Sequence, residues 1–530
     1  MDANHFFGPT RRLTAMLLMA VSLCATPGCL TPPRQWLKQH LKVGPNYCPP
    51  AVPIAPEWID ADNPSLVTAS GNYSSWWQVF GDPLLNALEE EAAAENLQLR
   101  QAAMRVVEAR ALLYTARGTL GPQSQQATGG FSRIKSSETT AFQFPVLEYD
   151  RWNVGFNASW ELDLWGRFRR LVEAAEANHE ESIFNYDDVL VVLQAEIASA
   201  YVQMRTLQQR LTIVRRNVEL QEETLGLAQT RFENGRVSEL DVAQASTNLE
   251  ATRATIPPLE EAIRKTQNAL CVLLGAPPFD ISAETTAGAI PTAPEQVVVG
   301  IPADLLRRRP DVRAAERQVA IQSALLGISE SNLYPHVALT GSIGLESEKF
   351  SDLFRSESLA GSIGPGFSWD ILNYGRLING YRAQEARFQQ ALLGYRQVVL
   401  DADRATEDAI ISYLKERETI ATLQSAVTSA ERAVEIATLQ YSEGKADFQR
   451  VLDSQRVLVL RQELLASSRG QVSENLVKVY KELGGGWQTR YAEIPAENLL
   501  PVASFLPSQP APEELDAPQP EMLPEISQPK

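Results

Sequence analysis

Cysteine is scarce in this chain: four residues in 530, at positions 24, 29, 48 and 271. That is too few for a disulfide framework. Basic excess is missing too, with 48 Lys and Arg against 65 Asp and Glu and a formal net charge of −17. A nucleic-acid partner, which needs a cationic footprint, is therefore excluded, and a solvated acidic surface accounts for the imbalance. Catalytic patterns are absent as well: no HExxH, CxxC, GxSxG or P-loop occurs. The four histidines, His5, His40, His179 and His336, fall in separate segments, so no metal set, cofactor or enzyme is read. His179 is expected to be solvated on a polar helix face, and His336 to open a strand on its polar side. Past residue 29 no apolar run reaches about eighteen residues, so no transmembrane helix is expected and a membrane role would need a barrel. Proline is missing from two long stretches, Phe168 to Glu233 and Leu377 to Ser442, where the only glycines are Gly226, Gly380 and Gly394.

Those proline-free stretches are the largest feature present. At about 1.5 Å rise per residue, each makes a helical rod roughly 100 Å long, against about a dozen residues for an average globular helix. Apolar residues recur at three and four (Ile378, Tyr381, Phe388, Leu392, Tyr395, Val399, Ala402), a coiled-coil-like stripe. Each rod ends at a glycine turn, Asn234-Gly235 or Glu443-Gly444, and a shorter helix returns over 238–274 or 446–482.

The two rods belong to a duplication. Trp160-Glu161-Leu162-Asp163-Leu164-Trp165-Gly166-Arg167 recurs as Trp369-Asp370-Ile371-Leu372-Asn373-Tyr374-Gly375-Arg376. Arg231 to Arg236 pairs with Gln440 to Lys445 at the same offset, so a strand-plus-helix unit occurs twice. Before each block the pattern has a period of two. Trp152, Val154, Phe156, Ala158 and Trp160 share one face of the first copy; Leu359, Gly361, Ile363, Pro365 and Phe367 share one face of the second. A third stretch alternates Val337, Leu339, Gly341, Ile343 and Leu345 with polar neighbours, and a fourth, about 122–133, is assigned by symmetry. About ten residues each, these match outer-membrane strands, although a sandwich with one face in a core gives the same alternation. Four strands are too few to close, since about eight make the smallest barrel, so several chains must contribute.

The termini carry separate signals. Arg11-Arg12 and the apolar core from Leu13 to Ala25 read as a signal peptide, too short for a bilayer span. Gly28-Cys29 then suits a lipoprotein signal peptidase, making Cys29 the lipidation candidate; ordinary cleavage near Ala25 is the alternative. Cys48 and Cys271 could pair in an oxidising compartment, with unpaired packing roles preferred. The organisation is thus: signal peptide 1–28; an extended Pro- and Trp-rich periplasmic segment 29–81 draped over another domain; first repeat 82–275, its strands near 122–133 and 150–163; linker 276–302; second repeat 303–487, its strands near 335–346 and 359–371; and an acidic, Pro-rich tail 488–530 read as disordered. A single helix is expected from Asp82-Pro83 to about Arg117. The charge run Arg307-Arg308-Arg309-Pro310-Asp311 reads as a solvated or interhelical ion-pair patch.

Val43-Gly44-Pro45-Asn46-Tyr47, Leu305 through Glu316, Asn373-Tyr374-Gly375-Arg376, Tyr441-Ser442-Glu443-Gly444 with Val451 to Arg456, and Gly484-Gly485-Gly486-Trp487 resemble the outer-membrane efflux lipoproteins of the TolC/OprM (NodT) type, in family order over about residues 43–487. The resemblance implies a mixed α+β membrane protein with an internal two-fold repeat. In it, long helices form an α-barrel tunnel and each chain gives four strands to a shared trimeric β-barrel. It implies a homotrimer in the outer membrane, lipid-anchored and extending through the periplasm. Its partners would be a periplasmic adaptor and an inner-membrane pump of the resistance-nodulation-division class. The function implied is a passive exit duct of a tripartite efflux system. The exit duct of a type I protein-secretion system is the alternative within transport; a soluble periplasmic coiled-coil protein is the alternative outside it, though an exposed ladder of Trp152, Phe156 and Trp160 would aggregate in water.

The resemblance also places a periplasmic gate just after the second glycine turn. Asp453 and Arg456 match its motif, one helical turn apart, and Gln449 stands where an apolar residue is usual. A more polar constriction follows, in which aspartates around an axis repel one another and arginines hold the ring shut; a plain i,i+3 surface pair is the competing reading. The first-copy equivalents, Gln244 and Thr247, are neutral. Gly235 and Gly444 mark the helix-tip turns expected to meet the adaptor.

Overall fold

The computed structural model describes residues 31–69, 71–135, 148–279, 288–304 and 308–492. The leader, Cys29, Leu305 to Arg307 and the tail beyond residue 492 lie outside the described residues. A short helix, α1 (Pro33–Lys38), starts with proline in its first turn. The chain then passes through irregular structure, with bends and turns over residues 56–65, and Leu66–Val67 (β1) pairs in parallel with Val297–Val298 (β4) of the inter-repeat linker. The aromatics of this segment are core residues: Trp58, Tyr73, Trp76 and Trp77 are buried, and Trp76 stacks on Tyr480 with ring centroids 5.5 Å apart. The segment is built into the middle of the helical domain rather than laid over it.

Asp82 accepts from the backbone N–H of Leu84 and Leu85 and starts α2 (Pro83–Glu95), with proline in the first turn. The expected single helix is broken at Asn96, which has extended φ/ψ (−60°, 125°). Its carboxamide oxygen caps α3 (Leu97–Gly118) by accepting from Leu99, and its Nδ2 donates to the Leu273 carbonyl at 2.8 Å. A buried asparagine with both ends satisfied can interrupt a helix without glycine or proline.

Strands β2 (Ser124–Lys135) and β3 (Glu148–Leu162) form an antiparallel hairpin, and β5 (His336–Ser347) and β6 (Leu359–Ser368) form another. They join through β3 and β5 into one antiparallel sheet of order β2-β3-β5-β6. From each hairpin a helix of identical length departs: α4 (Arg167–Glu233) and α8 (Arg376–Ser442), 67 residues each. Equal lengths at a constant offset of 209 make the duplication a property of the backbone. The return limbs differ. In the first repeat α5 (Glu239–Arg253) and α6 (Ile256–Leu273) are separated ahead of Pro257-Pro258, whereas α9 (Phe448–Glu482) is unbroken.

Near the sheet the helices lie side by side in the order α3, α4, α7 (Pro310–Ser331), α8, joined for example by Arg117–Glu176 and Arg317–Glu180. Farther away the order is α5 and α6, then α4, α9 and α8, with Arg253–Glu222, Arg215–Glu260 at 2.8 Å and Asn217–Gln462 at 2.8 Å across the seams. Wall and sheet therefore have the same lateral order, and both end on open edges among the described residues. No described helix is long and apolar enough to cross a membrane. A short helix, Thr489–Ala492, belongs to a separate unit, Gln488–Lys530.

Several single-residue expectations are settled by these contacts. Cys48 is exposed and Cys271 is buried, and each is a free thiol. Arg309 bridges Asp311 at 2.8 Å and Glu482 at 2.6 Å, so the charge run is an interhelical ion-pair patch; Arg308 lies over the Tyr73 ring. His179 is half-buried rather than solvated, with Nδ1 enclosed and without a partner. Burial and then the Arg110 charge depress its pKa.

Candidate functional site: the two faces of the wall and its two ends

The sheet register sorts side chains onto two faces. Pairs Phe131↔Trp152, Phe156↔Ile343, Trp160↔Leu339, Val337↔Phe367 and Leu345↔Leu359 put the large apolar residues of all four strands on one side. The other side carries Gln126, Thr128, Asn153, Asn157, Ser342, Ser362 and Gly364. Ile363 is 80 % exposed and Phe367 77 % exposed in a single chain. An apolar area of this extent is a contact surface for lipid or protein. Aromatics mark both of its ends. Phe131, Trp152, Phe350 and Phe354 follow one another at 4.5, 5.1 and 6.1 Å away from the helices. At the helical end Trp160, Trp165 and Trp369 each donate their indole N–H to a backbone carbonyl, of Leu120, Pro335 and Leu333. Paired aromatic girdles with anchored indoles are the signature of a membrane-spanning sheet.

The repeated block forms the turn from strand into helix. Gly166 (φ +81°) and Gly375 (φ +80°) sit in the left-handed region that glycine adopts without a Cβ clash. In each copy the following arginine reaches back six residues to an acid: Arg167 to Glu161 at 3.2 Å and Arg376 to Asp370 at 3.1 Å. His336 Nδ1 also meets Glu161 at 3.0 Å. Glu161 lies on the polar face of β3, and Asp370 lies two residues beyond the end of β6.

At the far end, the glycine turns Gly235 and Gly444 are exposed. They are clamped together behind the tip by an apolar cluster of Ala228, Ala245, Ala437, Tyr441, Phe448, Val451 and Leu452. Around it lies a polar latch: Arg231 sits 4.7 Å over the Tyr441 ring and donates to the Tyr441 carbonyl, and the Tyr441 hydroxyl lies 3.4 Å from Asp241. Burial, then the Asp241 charge, pushes the Tyr441 phenol up to about 12.

The three gate candidates are exposed on α9, and they do not pair as the spacing suggests. Asp453 accepts from Gln449 Nε2 at 2.9 Å, so the residue that replaces an apolar one holds the aspartate in place. Arg456 Nε donates to Asn248 Oδ1 at 3.1 Å, linking the second repeat to the first. Of the cross-repeat partners, Arg231 and Tyr441 fall in the repeated blocks, and Asp241 and Asn248 carried no sequence signal. Their contacts span about two hundred residues, where no local spacing applies. Among the described residues no cluster of three or more metal-binding side chains occurs.

Comparison with known proteins places this geometry. The family described as "Outer membrane efflux protein" matches residues 88–276 and 301–485, one stretch per repeat. The chain is 28 % identical over 448 residues to nodulation protein T of Rhizobium leguminosarum bv. trifolii, covering 84 % of this chain and 94 % of that one. To the cation efflux system protein CusC of Escherichia coli it is 26 % identical over 450 residues, covering 84 % and 96 %. The solved outer-membrane channel OprN superposes with a TM-score of 0.80 at 32 % identity, covering 84 % of this chain and 99 % of that chain. Repeat, fold and sequence agree: the chain belongs to the outer membrane efflux protein family.

Proposed function

We propose that three copies of this chain close edge to edge into the outer-membrane exit duct of a tripartite efflux system. The observation that carries this is the open arc: sheet and helical wall share one lateral order, and each ends on unpaired edges at the same two sides. Unsatisfied strand edges are not tolerated in hydrocarbon, so the sheet must meet further strands to span the membrane. Apolar residues then face lipid, and the Ser, Thr, Asn and Gly face lines a water-filled passage. The passage continues between the long helices into the periplasm. A periplasmic adaptor docks on the tips around Gly235 and Gly444, and an inner-membrane pump supplies the energy. Cys29, once acylated, anchors each copy to the membrane.

Asp453, Gln449 and Arg456 form the periplasmic gate, with the Arg456–Asn248 bond and the Arg231–Tyr441–Asp241 latch restraining the second tip against the first. Purified in detergent, the protein should run as a trimer and conduct ions in planar bilayers. A monomer without conductance would overturn the reading. Asp453→Ala with Arg456→Ala should raise single-channel conductance, and Thr247→Ala, its first-repeat counterpart, should leave it unchanged. Equal conductance in all three would remove the gate from these residues.

A further inference from the structure

The anchoring of Cys29, which is part of the reading above, leads to a site for the anchor itself. The described chain begins at a fixed point. Thr31 donates its backbone N–H to Glu330 at 2.6 Å, and its hydroxyl accepts from Gly44 N at 2.8 Å. Glu330 is buried in the last turn of α7, five residues before Pro335. Two residues span at most about 7 Å, which sets the reach from Thr31 to an anchor on Cys29.

Pro335 opens an apolar groove of about 460 Å³ that continues along Val337, Pro365, Gly366, Phe367 and Trp369. It lies at the helical end of the lipid-facing side. Its polar requirements are already met: the Trp369 indole donates to the Leu333 carbonyl, and the Pro335 carbonyl accepts from Trp165. The equivalent junction of the first repeat is filled, because Trp165 is packed between Trp36 at 5.3 Å and Tyr334 at 4.6 Å. In the second repeat the matching Tyr374 is 99 % exposed and nothing of this chain's described residues covers the groove.

We propose that an acyl chain on Cys29 lies in this groove, docking the lipid anchor onto β5 and β6 rather than leaving it free in the leaflet. A hydrocarbon chain asks for no hydrogen bond, and the groove offers none. The short tether keeps the chain at high local concentration there. The competing occupant is a second copy, whose Leu120–Pro122 segment would approach from the open β6 edge.

The test uses the full-length chain, produced with its own leader in a bacterial host with an outer membrane and fed palmitate carrying a diazirine. The mass of the N-terminal peptide first reports acylation of Cys29. After irradiation and digestion, the expected product joins that peptide to one containing Val337 or Phe367. Val337→Trp, which fills the groove, should abolish this product while acylation persists; Ile343→Trp, higher on the same face, should retain it. Acylated Cys29 with cross-links scattered over the apolar face, or a groove cross-linked to the Leu120–Pro122 segment of another copy, overturns the groove alone. Cys29 without an acyl chain overturns the anchor as well.

Discussion

At residue 166 the chain passes through a left-handed glycine into a 67-residue helix, and at residue 375 it does so again, with an arginine reaching back to an acid both times. The surroundings differ. In the first copy Asp163 accepts from the N–H of Phe168 and Arg169, and Arg169 takes the carbonyls of His40 and Leu41, both at positive φ. Arg170 is buried, donating to the carbonyls of Val43 and Gly44, to Asn46 and to Glu173. Burial opposes ionisation of Glu173, yet Lys42 and Arg170 outweigh it and hold the carboxyl below its ordinary range. In the second copy the matching residues are Leu372, Ile378 and Asn379, and the Asn379 side chain donates back to the Gly375 carbonyl of its own helix at 3.0 Å. Residues shared by the copies set the backbone turn. Residues that differ decide its surroundings: the N-terminal segment packs on the first turn, while the second borders an apolar surface exposed in the single chain.

Substitutions at matched positions test that division. The largest effect is expected at Arg170→Ala, which strips four partners of a buried guanidinium. Loss of about 3–5 kcal/mol of local protection over residues 31–47, read by hydrogen exchange, should result. Asn379→Ala should change protection by less than about 0.5 kcal/mol. Equal effects would erase the contrast between the copies.

Next come the glycines. Alanine at either 166 or 375 should cost about 1–2 kcal/mol for the left-handed backbone. Gly166→Ala should cost about 1 kcal/mol more, since its Cβ meets Lys42 atoms at 2.7–2.9 Å while that of Gly375 finds its nearest neighbour at 3.4 Å. Thermal loss of the trimer band in gels, compared between the two variants, gives the ranking; reversal would show that Lys42 yields freely.

The smallest effect concerns Asp188, whose counterpart is Gln397. Burial, then the charge of Asp311, raises its pKa to about 6 from an ordinary 3.8. An acid with a raised folded pKa favours the fold while protonated, and that contribution is lost as pH climbs from 3.8 through 6. Asp188→Asn should therefore stabilise by on the order of 1 kcal/mol above pH 6 and by nothing below about pH 4. Denaturation at pH 7.5 and pH 4 checks the sign.

Much of the architecture was legible in residue order. Alternation exposed β3, β5 and β6 because their outward positions hold Trp, Phe, Ile and Leu. In β2 the outward residues include Ala127 and Gly129, too small to register, and only symmetry indicated a strand. The prolines at 257 and 258 announced a break in the first return helix that the expectation of a single helix over 238–274 passed over. The break at Asn96 had no such mark, since asparagine interrupts a helix only when its amide finds a partner elsewhere, here Leu273. Aromatics near the N-terminus were visible, but their burial depended on Tyr480, four hundred residues away. At the tip, an i,i+3 pair between Asp453 and Arg456 was the competing reading of their spacing. The fold gives each a different partner, and side-chain choice among neighbours is decided in three dimensions.

The two bare flanks described for the sheet also bear on inheritance. In the proposed trimer each subunit offers one flank to the copy ahead and the other to the copy behind, so a fault on a single flank would interrupt the whole ring. A defective allele expressed beside a sound one should thus drag sound copies into leaky or abortive rings, and its damage should exceed its share of the protein made.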